Sequence, residues 1–237
     1  MIFRPNRVVL ATAAAVVAAS ALLAACSSSA GPAKKTEGTP LVGTFKLTQG
    51  ACLSSGPTGT YFRMIDPNGS IAKGKFFTNP DSKCPDKTYT PATPGTAGGL
   101  VTGTYQPNPT PAFDSHGDAL ASAIVTPAGF AAINFTISTN KIDPQTHKSV
   151  PAPQIDNDNG ILSGQTTAWS AAWNNQYFNQ GSPKPDGSSP GLTEPLTGTY
   201  DAKTGRFVLT WASAVVGGPF NGFTGYWHLS GTFVPKG

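Results

Sequence analysis

The apolar positions of this 237-residue chain follow two different rules. From Val8 to Ala25 they run almost without interruption for 18 residues, whereas from Leu41 onward they come in short groups separated by Gly, Pro, Asn and Asp. The later groups are rich in β-branched and aromatic residues and alternate with polar ones, the period of a strand with one buried face. They predict roughly ten strands: Leu41 to Leu47, Gly59 to Ile65, Ser70 to Phe77, Leu100 to Tyr105, Ala119 to Val125, Ala131 to Ser138, Ile161 to Trp173, Leu196 to Tyr200, Arg206 to Ala212 and Tyr226 to Val234. The turns between them, Asp66-Pro67-Asn68-Gly69, Asp156 to Gly160, Asp201 to Gly205 and Asn221-Gly222, put Gly or Asn where a hairpin needs positive φ. The expected fold is therefore all-β, one antiparallel β-sandwich or barrel over residues 41–237. Thr166 to Gln180 admits a second reading, since Trp169, Trp173 and Tyr177 stand at helical spacing. Trp169, Ala171 and Trp173 fit period two as well, and the Asn-Gly turn before them favours a strand.

One local pattern recurs. Gly-Thr precedes an aromatic at Phe45, Tyr61, Tyr105, Tyr200 and Phe233, at irregular spacing that excludes a solenoid or propeller. It predicts strands that expose Thr and bury the aromatic beside it.

Composition sharpens the picture. Only 12% of residues are charged, Glu occurs twice, at Glu37 and Glu194, and Gly (27) and Pro (22) are abundant. Long helices are excluded on those grounds. The first 25 residues have the form of a signal peptide: Arg4 and Arg7 precede the apolar run. Its length also reaches the lower limit of about 18 residues for a membrane span, so an uncleaved anchor is the alternative. Residues 26–40 hold nothing apolar larger than Ala or Pro and are expected to be a flexible tether. Without residues 1–25 the formal charge falls from +4 to 14 − 12 = +2, and no Lys/Arg run exceeds Lys34-Lys35, so nucleic acid is not an expected partner.

The end of the apolar run, Leu23-Ala24-Ala25-Cys26 followed by three serines, resembles the lipobox of bacterial lipoproteins. The resemblance implies a diacylglycerol on the Cys26 thiol, cleavage just before it, an acylated amino group, and a mature chain tethered to the outer face of the cell membrane. That compartment is oxidising. The two remaining thiols, Cys52 and Cys84, are then expected to form one disulfide.

The C-terminal third concentrates the aromatics. All four Trp (169, 173, 211, 227) lie there, with Tyr177, Tyr226, four Asn (174, 175, 179, 221), a polar loop from Gly181 to Gly191, and a Gly-rich run from Val216 to His228. This part is similar to β-domains of secreted and lipid-anchored proteins of actinobacteria and other bacteria; the likeness implies location and β fold, and carries no activity. Trp169, Trp173, Tyr177, Tyr226 and Trp227 are the candidate ligand-binding residues, a stacking platform for sugar rings. The competing reading places the tryptophans in the core.

Other chemistry is sparse. Asp114, His116 and Asp118 are a possible metal edge or a solvated loop, and Asp156 to Gly160 imitates a calcium loop but lacks the acidic twelfth residue, where Thr167 stands. No nucleophile elbow, zinc-protease motif, phosphate loop or dinucleotide fingerprint occurs. No catalytic residue, cofactor or metal is expected. The expected function is that of a membrane-anchored, non-catalytic domain binding an envelope polysaccharide or a protein, with a barrel-type carrier of a small apolar molecule or lipid as the alternative.

Overall fold

The computed structural model describes residues 38–237; the expected signal peptide, Cys26 and most of the expected tether lie outside the described residues. The described part contains no helix and so no helix able to cross a membrane. In chain order its strands are β1 (Thr39–Pro40), β2 (Gly43–Leu47), β3 (Ala51–Leu53), β4 (Gly56–Thr58), β5 (Tyr61–Ser70), β6 (Gly74–Phe76), β7 (Thr90–Pro91), β8 (Gly99–Val101), β9 (Ala128–Phe130), β10 (Ile133–Thr139), β11 (Gln154–Asp158), β12 (Ile161–Gln165), β13 (Trp169–Trp173), β14 (Gln176–Asn179), β15 (Glu194–Tyr200), β16 (Arg206–Ala214) and β17 (Thr224–Pro235).

The longest strand, β17, is the axis of a curled antiparallel sheet that forms half a barrel. Along one edge it pairs with β16 from Thr224↔Ala214 to Thr232↔Arg206. Along the other it is shared, with β5 on Thr224 to His228 and β2 on Gly231 to Pro235. The sheet continues through β15, β12, β11 and β1 on one side and through β8 on the other, while β6 and β7 flank β5. A second sheet, β14-β13-β10-β9, fills the curl. Across the join Phe62 meets Phe130 and Phe135 at 5.5 and 5.7 Å between ring centres, and Trp169 meets Trp211 and Trp227 at 5.1 and 5.4 Å. Each such ring, once buried, contributes roughly 2 to 3 kcal/mol from lost water contact. The all-β architecture expected from the alternation is thus present.

The strand expected from Ile161 to Trp173 is two strands in two sheets. On one continuous strand all odd positions share a face, yet Ile161 is 60% exposed and Trp169 fully buried. A turn closed by Trp169 N donating to Thr166 O resets the phase and carries the chain from the large sheet to the small one. The helical reading of Thr166 to Gln180 falls away: β13 and β14 form a hairpin whose turn, Asn174-Asn175, has φ of 49° and 57°. The expected strand from Ala119 to Val125 forms no ladder. Its backbone groups bond to three different segments, around Ala112, Asn134 and Gly95 to Ala97. Asp156 to Gly160 ends β11 in a hairpin, Asn159 and Gly160 both having positive φ. Pairing begins before Leu41, since Thr39 and Pro40 face Asn157 and Asp156.

The Gly-Thr-aromatic pattern has two phases. Phe45 and Phe233 are buried and in contact (4.8 Å), with Tyr200 edge-on to Phe233 at 6.0 Å. At the start of β5 the phase is inverted, with Thr60 buried and Tyr61 outside. The cause lies next door: Phe62 and Met64 supply the inward face, so Tyr61 and Arg63 must point out.

Candidate functional site

The five aromatics proposed as one platform are divided among three places. Trp169 (0% exposed) and Trp227 (4%) are core residues, and Trp173, half-buried, sits at the rim of the same core with its Nε1 donating to Phe130 O at 2.6 Å. An exposed platform at Trp169, Trp173 and Trp227 is therefore corrected by the strand phase, which turns all three toward the facing sheet. Trp211, which is as deeply buried, donates from Nε1 to Gln180 O at 2.9 Å. Tyr177 lies on the other face of the small sheet against Phe113 at 5.2 Å. Tyr226 alone is on the outer face of the large sheet. Between the sheets Phe62, Phe130, Phe135, Trp173, Phe220 and Trp227 line a half-open pocket of about 40 Å³. A ligand cavity measures roughly 300 to 1,000 Å³.

Tyr226 belongs to a different aromatic group. Outward positions of β5 and β17 stand directly opposite each other, Tyr61 beside His228 and Arg63 beside Tyr226. Tyr61 and His228 stack with ring centres 4.6 Å apart and planes within 5°. Tyr89, brought over by the segment between the disulfide and β7, meets Tyr61 edge-on at 5.2 Å. The Arg63 guanidinium lies between two rings, 3.1 Å from the centre of Phe76 and 4.1 Å from that of Tyr89, and its Nη2 donates to Thr88 Oγ1 at 3.2 Å. His228 Nδ1 donates to Gly59 O at 2.9 Å, which fixes the tautomer because a carbonyl can only accept.

Protonation follows from this packing. Burial, reinforced by the neighbouring Tyr226 and Tyr89 hydroxyls, pushes Tyr61 up to about 12, and burial also raises Tyr226. Both phenols are thus donors at neutral pH. Burial pulls His228 below its ordinary value, so its imidazole is neutral there. Along β17 the outward row continues from Tyr226 and His228 to Ser230 and Thr232. There Thr48, Thr199, Val208 and Arg206 complete a groove of about 640 Å³. On the opposite side of the cluster a cleft of about 330 Å³, walled by the Cys52–Cys84 disulfide, Pro57 and Pro85, ends on Tyr89. The bridged Cα atoms are 5.4 Å apart.

A second polar group lies inside. Lys184, on the loop expected from Gly181 to Gly191, is buried and donates to Asn179 O and Ser213 Oγ, both at 2.7 Å. A serine hydroxyl against a lysine amine is the geometry of a nucleophile and its base. Here Ser213 is 0% exposed and its hydroxyl donates to Gly181 O, so the pair braces the loop and the hydroxyl is closed off from solvent. Asp114 uses its carboxylate on the backbone N of His116 and Asp118, at 2.8 and 2.9 Å, and so closes a turn. Among the described residues no three His, Cys, Asp or Glu side chains converge as a metal site.

Sequence reasoning missed Tyr61, Arg63, Phe76, Tyr89 and His228. The alternation Tyr61-Phe62-Arg63-Met64 marks two of them as outward-facing; what brings Tyr89 to them is tertiary. Comparison with known proteins finds no family model that matches the chain, and no curated protein or solved structure matches it.

Proposed function

We propose that this chain is a non-catalytic, extracytoplasmic β domain, acylated at Cys26 and held to the outer face of the cell membrane, that binds an envelope polysaccharide on the outer face of its large sheet. The observation that carries the reading is the cluster of Tyr61, Tyr89, Tyr226 and His228 beside a hydroxyl-lined groove on one solvent-facing surface. Aromatic rings offer apolar faces to sugar rings, and Ser, Thr and protonated Tyr hydroxyls both donate and accept, as a polyol requires. The Cys26 anchor rests on the lipobox resemblance.

Co-sedimentation of the protein with insoluble envelope polysaccharide tests it. Tyr226→Ala and Tyr61→Ala should each weaken retention by about tenfold or more, as loss of a central aromatic contact does. No retention of the wild type, or undiminished retention of both variants, would overturn the reading.

A further inference from the structure

We propose that Arg63 is an anion-recognition residue, and that the polymer taken by the outer face is acidic, with a repeating carboxylate or phosphate seated on the free edge of the guanidinium. The inference rests on the polysaccharide reading above and names its ligand class.

Three observations carry it. The first is a cation without a direct counter-ion: among the described residues no carboxylate oxygen lies within 4 Å of Arg63, the ion pair found being His116 with Asp114 on another surface. Asp86 stabilises the Arg63 charge from beyond direct contact, and Thr88 links the two, its hydroxyl donating to Asp86 Oδ2 at 2.8 Å while accepting from Arg63 Nη2. The second is rigidity. With Phe76 on one face, Tyr89 on the other and Thr88 at one nitrogen, the guanidinium plane is already immobilised, and a ligand need not bear the cost of ordering a long side chain. The third is an unmet hydrogen bond. Arg63 Nε is enclosed without an acceptor, and the half-buried charge is destabilised by desolvation, which draws its pKa down. Nε lies out of a ligand's reach, but an oxyanion at the Nη edge would offset part of the desolvation of the charge through charge-assisted bonds. Tyr61 and Tyr226, both protonated, share the outer face with Arg63 as further donors.

The bland alternative is that Arg63 is only a staple between Phe76 and Tyr89. The two differ in what they predict for the full chain titrated calorimetrically with three soluble polymers: a polyuronate, a poly(glycerol phosphate) and neutral dextran. If Arg63 reads an anion, at least one acidic polymer binds about tenfold more tightly than dextran, the worth of one hydrogen bond to a charged group. That advantage fades as salt rises from about 0.05 to about 0.5 M. Preference for the polyuronate assigns a carboxylate, preference for the polyphosphate a phosphate, and equal preference the oxyanion they share. Arg63→Gln should abolish the advantage of the acidic polymer over dextran, and Arg63→Lys, which keeps the charge without the planar fork, should keep only part of it. Polymer selectivity and salt dependence of the wild type stand even if a variant folds poorly. Equal binding of acidic and neutral polymers by the wild type, or an advantage that persists in Arg63→Gln, overturns the inference and leaves the polysaccharide reading in place. Binding of none of the three overturns both.

Discussion

Tyr226 and Trp227 are chain neighbours that the pleat sends to opposite sides of one strand. Trp227 closes a packed triangle with Trp169 and Trp211, and Tyr226 stands outside beside Arg63. Substitution should separate them. Trp169→Ala, Trp211→Ala and Trp227→Ala should each lower stability by about 3 to 5 kcal/mol, the usual cost of emptying a large aromatic site. Tyr226→Ala should cost far less, since its side chain is only partly buried and stands on the outer face. Denaturant midpoints of the four variants check this, and a Trp227→Ala protein as stable as wild type would contradict the burial described. The period-two spacing of Trp169, Ala171 and Trp173 was readable in the chain and is correct, but which side of the strand faces another sheet was not. The side is decided by the facing sheet, whose Trp211 and Trp227 come from far along the chain to meet Trp169.

At the scale of elements, the polar loop after β14 shows how a long irregular segment is held. Lys184 folds under it and bonds to Asn179 O and Ser213 Oγ. Burial in that pocket pulls Lys184 down to about 8, with Asp143 offsetting part of the effect. In the unfolded chain the same amine titrates near about 10.4. Between these values the unfolded chain keeps a proton that the native one has released, so stability should rise by roughly 2 to 3 kcal/mol from about pH 8 to about pH 10. Above about pH 10 the sign reverses, because unfolded tyrosines ionise while Tyr61, near 12, stays protonated. Denaturation across that range should show the rise in the wild type and lose it in Lys184→Met; a flat wild-type profile would refute the buried amine. The disulfide acts on another element. It anchors the segment that delivers Tyr89, and the pairing was legible because two thiols remained once Cys26 was set aside. Cys52→Ala/Cys84→Ala should cost about 4 kcal/mol, the entropic value of closing a loop of this size. Because Tyr89 loses its support, polysaccharide retention should fall as well.

For the molecule as a whole, the expected anchor is tested at its own position: Cys26→Ala should release the protein from the membrane fraction or leave its precursor uncut, and normal processing with membrane retention would refute the lipobox reading. The class of the fold was written in short-range features. Alternation of apolar residues, Gly and Asn at hairpin turns, and the scarcity of helix formers act within a few residues of each other, so a strand and its turn can be recognised from the chain alone. The same alternation puts Tyr61 and Arg63 on one face opposite Phe62 and Met64, but the Gly-Thr-aromatic rule places Tyr61 inside. Three things were decided only by the tertiary structure: the break of Ile161 to Trp173 into two sheets, the burial of the tryptophans, and the meeting of Arg63 with Phe76 and Tyr89. Each depends on which strands become neighbours across long sequence separations. That choice is made by the packing of whole faces, because shifting a strand by one residue exchanges its buried and exposed sides without altering its local pattern.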